Sequence, residues 1–266
     1  MEGKEVSINS DFRPLGVFFN LSYWNALFSP YLTTVFKWFE GWSLRKTALL
    51  ITLFTVIVAV FFIRNPSLSK YAPPYAIFTT GLTGMIFNLA IIFTFQTLYG
   101  FLYYQIGLLI TIFMGGITIG SLYMIHRLNG IKKDSTLFLK TELLIIVFSL
   151  LLPLLLFTPS YHLEKTSIYI TLYAIFLIMS FFSGALLGLQ FPLATKIYLN
   201  ASKNEGRIGQ TAGLLYGADL FGGFFGGLFG GVLLLPILGL KESCFMMGII
   251  KVSSLILFLL FTKIKK

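Results

Sequence analysis

The sequence predicts an all-α integral membrane protein, a polytopic bundle of about seven transmembrane helices. Three observations carry this. The 266-residue chain is 56% hydrophobic and only 11% charged, with a mean hydropathy of +0.86, whereas a water-soluble domain of this size needs far more polar surface. Its apolar residues fall into runs of roughly 20, the length at which a helix crosses the hydrocarbon core. Its Lys and Arg residues sit mostly in the short stretches and tails between those runs, as orientation signals do. The formal charge of +10 is thereby accounted for without nucleic acid, since no basic stretch with interleaved aromatics lies outside the apolar runs.

Taken in order, residues 1–14 form a polar tail of mixed charge, so no cleavable signal peptide is expected. Residues 15–40 are rich in aromatics but diluted by Asn20, Ser22, Asn25, Ser29, Pro30, Thr33 and Thr34. Trp24, Trp38, Tyr23 and Tyr31 favour the headgroup region. This element reads as an interfacial helix or helical hairpin, or as a weak eighth span. Residues 41–266 hold the polytopic domain, with apolar runs at about 47–64, 75–98, 102–126, 137–158, 167–195, 208–238 and 243–262. Pro192 removes a backbone hydrogen bond and predicts a kink near the end of the fifth run.

With seven spans, one side collects Arg64, Lys70, Arg127, Lys132, Lys133, Lys140, Lys196, Lys203, Arg207, Lys263, Lys265 and Lys266. The loops of the other side carry only Lys165 and Lys241. The C-terminus is therefore expected in the cytoplasm. Arg45 and Lys46 disturb the pattern, and the side on which residues 1–14 lie stays open.

The sixth run, Gly209–Leu240, is the most distinctive. It has one acidic residue, Asp219, and three glycine pairs at four-residue spacing: Gly222 and Gly223, Gly226 and Gly227, Gly230 and Gly231. Glycine at that repeat lets a neighbouring helix approach backbone to backbone. Gly115, Gly116 and Gly120 offer a second such surface on the third run. An intramembrane carboxylate is costly and marks either a binding function or a structural partner. Asp219 can accordingly bind a cation, an amine or a proton, or it can be held by Tyr, Ser, Thr or a basic residue; Lys251 is the nearest candidate partner by depth. Tyr216 lies one turn before it. Asn88, Gln96 and Gln105 can line a polar cavity or act as interhelical glue, because amides in lipid need partners. Tyr99, Tyr103 and Tyr104 read as interfacial anchors, and Glu142, beside Lys140 at a span boundary, as half of a local interfacial pair.

Metal and disulfide chemistry are not expected. Cys244 stands alone, and His126 and His162 lie in different loops, too far apart for a site made by local spacing. The glycine pairs lie inside an apolar helix and not after a strand, so they do not form a nucleoside-cofactor turn. No cofactor is expected.

The block Gly81–Ser121 contains Phe95-Gln96, Tyr99-Gly100, Tyr103, Phe113-Met114, Gly116, Gly120 and Ser121. It resembles the membrane part of bacterial membrane-bound spermidine synthase-like proteins, in which an aminopropyltransferase-type domain is fused to major-facilitator-like membrane segments. Two further blocks are similar to that family: Gly188-Leu189-Gln190-Phe191-Pro192, and Tyr216, Asp219, Gly222, Gly226, Pro236 and Gly239. Residues 8–14 resemble the end of the synthase domain. The resemblance covers nearly the whole chain, as the C-terminal membrane half of the fused protein. It departs at Asn88, where the family often has a glutamate, and no soluble segment is long enough for the catalytic fold.

The resemblance thus implies a membrane module of a spermidine synthase-like system, non-catalytic by itself, that anchors or partners a separately encoded synthase domain in a bacterial inner membrane. The alternative is a polyamine or small-solute transporter-like protein that works as a homo-oligomer, with Asp219, Asn88, Gln96 and Tyr216 as its ligand residues. A lipid-modifying enzyme has no catalytic constellation of His, Asp or Ser to support it.

Overall fold

The computed structural model describes residues 16, 19, 20, 22, 23, 43–100, 103–130, 133–157, 166–202 and 208–264. The tail 1–14 and nearly all of the aromatic element 15–40 lie outside the described residues. Among those described, the regular structure is entirely helical. Helix α1 spans Leu44–Arg64, α2 Ala72–Tyr99, α3 Tyr103–Arg127, α4 Asp134–Phe157 and α5 Thr166–Gly188. Then follow α6 Gln190–Ser202, α7 Ile208–Phe229, a π-turn at Gly230–Leu234 and α8 Leu235–Ile264.

Local chemistry sets the boundaries. Arg64 is followed by a 3-10 turn, Pro66–Tyr71, and α2 starts with Pro73 and Pro74 in its first turn. A proline there gives up no hydrogen bond, because first-turn N–H groups have no intrahelical partner. Gly100, at φ 80°, ends α2 in a conformation that glycine adopts without a Cβ penalty. The expected kink of the fifth run falls at Leu189, between α5 and α6. Pro192 then sits in the first turn of α6, where its missing N–H is harmless.

The segment Ile208–Ile264 is continuous helix by length, 57 residues, which as a straight rod would extend about 85 Å, far beyond a hydrocarbon core of about 30 Å. It does not run straight. Gly222 and Gly226 of α7 and Gly230 at the start of the π-turn meet Phe78, Leu82 and Ile86 of α2 in rising order, so α7 runs parallel to α2. After Gly239, whose φ of 81° and ψ of 171° interrupt the helix, the direction reverses. Phe258 stacks near Phe138, Ser254 bonds Glu142 and Cys244 meets Ser149, while Lys251 lies against Ala76 and Thr80. The π-turn precedes Pro236, which lacks an N–H for the ladder, and the widened turn accommodates it.

The packing is inside-out relative to a soluble protein. Leu49, Leu53 and Phe61 of α1, Leu144 and Leu154 of α4, and Phe221 of α7 are exposed on the outer surface. Six helical segments are long and apolar enough to cross a membrane, among the described residues. The chain is therefore an all-α integral membrane protein, its outer leucines and phenylalanines facing lipid.

Two glycine-lined seams hold the bundle. In the first, a Cβ added at Gly222 would run into the backbone carbonyl of Phe78, and one at Gly226 would lie 2.6 Å from that of Leu82. In the second, Gly116 and Gly120 of α3 face the carbonyls of Phe181 and Ala185 of α5, and Gly184 and Gly188 of α5 face those of Phe113 and Ile117. The second member of each α7 pair is looser. Gly223 would meet only the Gly81 carbonyl at 3.9 Å, and Gly227 and Gly231 only side chains, at 3.4 and 3.8 Å. The apolar interior divides into two clusters. One gathers Phe87, Phe95, Phe113, Leu152, Phe176 and Met247, and the other Phe62, Ile77, Phe138, Leu193, Leu215 and Phe258.

Candidate intramembrane site

Between those two clusters lies a single polar layer. Thr80 stands between Ile77 and Ile86 on α2, Glu142 between Phe138 and Ile145 on α4, Gln190 between Leu187 and Leu193, and Lys251 between Met247 and Leu257 on α8. The apolar clusters on either side seal it from both ends, and all four side chains are buried.

Lys251 is the hub. Its ammonium donates to Thr80 Oγ1 at 2.7 Å, to Glu142 Oε1 and Gln190 Oε1 at 3.2 Å each, and lies 3.4 Å from the Ala76 carbonyl. The Lys251–Glu142 ion pair is fully enclosed, with both side chains at 0% exposure. Ser254 donates to the same Glu142 Oε1 at 3.0 Å, and Thr80 donates to Gln190 Oε1. Glu142 Oε2 has no hydrogen-bond partner. The interfacial Lys140–Glu142 pair expected from the sequence is therefore corrected: Lys140 is exposed, Glu142 is buried, and its partner comes from α8. The helical repeat explains this, because Glu142 shares the face of Phe138, Ile145, Ser149, Leu152 and Leu156, all buried, whereas Lys140 points away.

Asp219 lies against α2 next to this layer. Its main chain packs against Gly81, where an added Cβ would lie 2.8 Å from Oδ1. It is half-buried and makes no hydrogen bond or ion pair with the described residues. The expected Asp219–Lys251 contact is not made, although the two charges are near enough to interact electrostatically. Asp219 instead lines a cavity of about 540 Å³ formed between α2, α3, α5, α6 and α7, open to the outer surface where Met114, Leu220 and Phe224 are exposed. Its wall is mainly apolar and aromatic, with Phe113, Met114, Phe191, Leu220 and Phe224, and its polar groups are Thr80, Ser121, Tyr216 and Asp219. Tyr216 stands at the rim, 58% exposed. Ser121 is bonded to the Gly188 carbonyl at 2.9 Å.

Of the four ligand residues expected from the sequence, the fold brings two together, Asp219 and Tyr216. Asn88 is buried eight residues beyond Thr80 on α2, about 12 Å along the axis, with its Oδ1 unpartnered. Gln96 is half-buried near the far end of α2 and does not line the cavity. Gln105 bonds the Tyr104 hydroxyl at 2.9 Å. The residues missed by sequence reasoning are Thr80 and Ser254, which carry no signal of their own in an apolar helix, and Glu142. No group of three His, Cys, Asp or Glu side chains that could hold a metal occurs among the described residues.

Thr80 belongs to both places: it lines the cavity that Asp219 lines and accepts a hydrogen bond from Lys251 of the ion pair. Compared with protein-family models, with curated proteins and with solved structures, the chain matches none.

Proposed function

We propose that this chain is a transporter-like membrane module that binds a small organic cation, an amine with an apolar body, in the Asp219 cavity. The observation that carries this reading is the Asp219 carboxylate, unpaired among the described residues, at the wall of a mainly apolar 540 Å³ cavity. Such a charge is expensive in a membrane unless something positive offsets it. The rings of Phe113, Phe191, Tyr216 and Phe224 suit an apolar cation, both by burial and through their negative faces. A fully charged polyamine fits poorly, because one carboxylate cannot offset several ammonium groups.

The topology that goes with this reading has seven crossings. The reversal at Gly239 divides the long C-terminal segment into two, each passing beside α2 in opposite directions. The basic residues then gather on the side of the C-terminus, which the positive-inside bias puts in the cytoplasm, and a bacterial inner membrane is the setting the family resemblance suggests.

A second reading keeps the chain as the membrane module of a spermidine synthase-like system, partnering a soluble synthase domain. One observation favours it. Phe113, Met114, Ser121, Gly188, Phe191, Tyr216 and Asp219, drawn from all three motif blocks of that resemblance, line one cavity. The test uses the purified chain and two probes, tetraphenylphosphonium and spermidine. Saturable binding of tetraphenylphosphonium that Asp219→Asn abolishes supports the cation cavity. Binding of neither probe, together with co-purification of a soluble aminopropyltransferase-like protein, would overturn it in favour of the second reading.

A further inference from the structure

The ion pair beside the cavity is asymmetric. The three N–H donors of Lys251 have four acceptors within reach, Thr80, Glu142, Gln190 and Ala76. Glu142 receives both of its donors, Lys251 and Ser254, on Oε1. Its other oxygen, Oε2, is buried and accepts no hydrogen bond from the described residues, although the Gln190 side chain also interacts favourably with the carboxylate. A buried oxygen without a hydrogen-bond donor is costly, and a proton on Oε2 removes the charge from the less satisfied of the two oxygens.

The charges of the layer add a second argument. Glu142 and Asp219 contribute two negative charges and Lys251 one positive, a net of −1. Nothing else charged faces Glu142 among the described residues. From α2 come Thr80 and Tyr75, the latter sharing a 3.2 Å hydrogen bond with Ser253. From α6 comes Gln190, because Lys196 is turned away to Asp134 at 2.9 Å. From α8 come Lys251 and Ser254, α5 carries no charged residue at all, and Asp219 of α7 acts on Lys251 rather than on Glu142 directly. One added positive charge neutralises the layer, whether it is a proton on Glu142 or a cation at Asp219. Both together leave +1 in a low-dielectric interior, where charges interact strongly.

We infer that Glu142 is an intramembrane proton-binding site, and that a proton there and an organic monocation at Asp219 exclude one another, so that the module exchanges one proton for one monocation. The exchange half of this inference rests on the cation-cavity reading; the proton site does not. The step balances simply. The Glu142 carboxylate takes a proton from hydronium, leaving water, and becomes a carboxylic acid as the monocation leaves Asp219; when a monocation enters, the acid returns the proton to water as hydronium. The route of communication is short: Thr80 bonds Lys251 and lines the cavity, and the next residue, Gly81, packs against Asp219.

The experiment is infrared spectroscopy of the full chain in detergent, with tetraphenylphosphonium as the monocation. Wild type is expected to show a protonated-carboxyl carbonyl band that grows on acidification. The Glu142→Gln, Lys251→Met double variant is the control, because removing both members of the pair together leaves neither of the two buried without its partner, and the fold is expected to survive. It should lack the band. Tetraphenylphosphonium should diminish the wild-type band and release one proton per bound cation, read with an indicator dye in weak buffer. Absence of a titrating band, or its persistence in the double variant, overturns the proton site even if the probe binds. A band that titrates but is indifferent to bound probe overturns the exchange, and a band with no probe binding overturns the cavity reading and the exchange while the proton site stands.

Discussion

Two carboxylates sit near the same level of α2, one reached through Thr80 and the other packed at Gly81, and the protein treats them in opposite ways. Glu142 is sealed between two apolar clusters, held by Lys251 and Ser254 at 3.2 and 3.0 Å. Asp219 is half-buried, has no partner among the described residues and opens on a cavity. Thr80 and Gly81, adjacent on one helix, separate the two environments. The difference teaches that burial cost alone does not say what an intramembrane acid is for. What distinguishes the two is whether the charge is answered within the protein or left to be answered by something that arrives.

The largest expected effect separates them by stability. Lys251→Met or Glu142→Gln alone leaves one member of a buried pair without its partner and should cost about 3–5 kcal/mol, seen as a lowered melting temperature in detergent. The double variant should recover most of that loss. A double variant as unstable as the sum of the singles would mean that the two charges do not act as a pair.

The next effect tests the seam that positions Asp219. Gly222→Leu forces a side chain into the Phe78 backbone and should cost at least about 1–3 kcal/mol. Gly223→Leu, facing open space beyond the Gly81 carbonyl at 3.9 Å, should change the melting temperature far less. Equal effects would remove the asymmetry of the glycine pairs. Comparable in size is Gly239→Ala, which places a Cβ at φ 81° and ψ 171°, a region essentially reserved for glycine, and should cost about 1–3 kcal/mol. Smallest is Asp134→Asn, whose partner Lys196 is partly exposed; a surface pair of this kind is worth about 0–1 kcal/mol.

The contrast also explains what the sequence could disclose. The helical, membrane-spanning class was legible because crossing a bilayer demands about 20 apolar residues whatever the packing. Asp219 was legible because nothing else in Gly209–Leu240 is acidic. Glu142 was hidden by its neighbour: beside Lys140 it looked like half of a local pair, although the spacing Phe138, Glu142, Ile145, Ser149 puts it on the buried face. Its true partner is 109 residues away, a separation that no local pattern encodes. The cavity was illegible for the same reason, since its wall comes from five helices. Asn88 and Gln96 share the polarity of a binding residue but not its position, and only the three-dimensional packing separates them from Tyr216 and Asp219.

The claim that Asp219 is answered from outside, whereas Glu142 is answered from within, is tested most directly by titrating tetraphenylphosphonium into wild type and Asp219→Asn. The melting temperature of each protein is recorded in the same samples. We expect Asp219→Asn to lose binding by at least about tenfold, equivalent to about 1.4 kcal/mol, while its melting temperature without probe stays at or above that of wild type. Unchanged probe binding, or a variant that unfolds as readily as the broken Glu142 pair, would contradict the account.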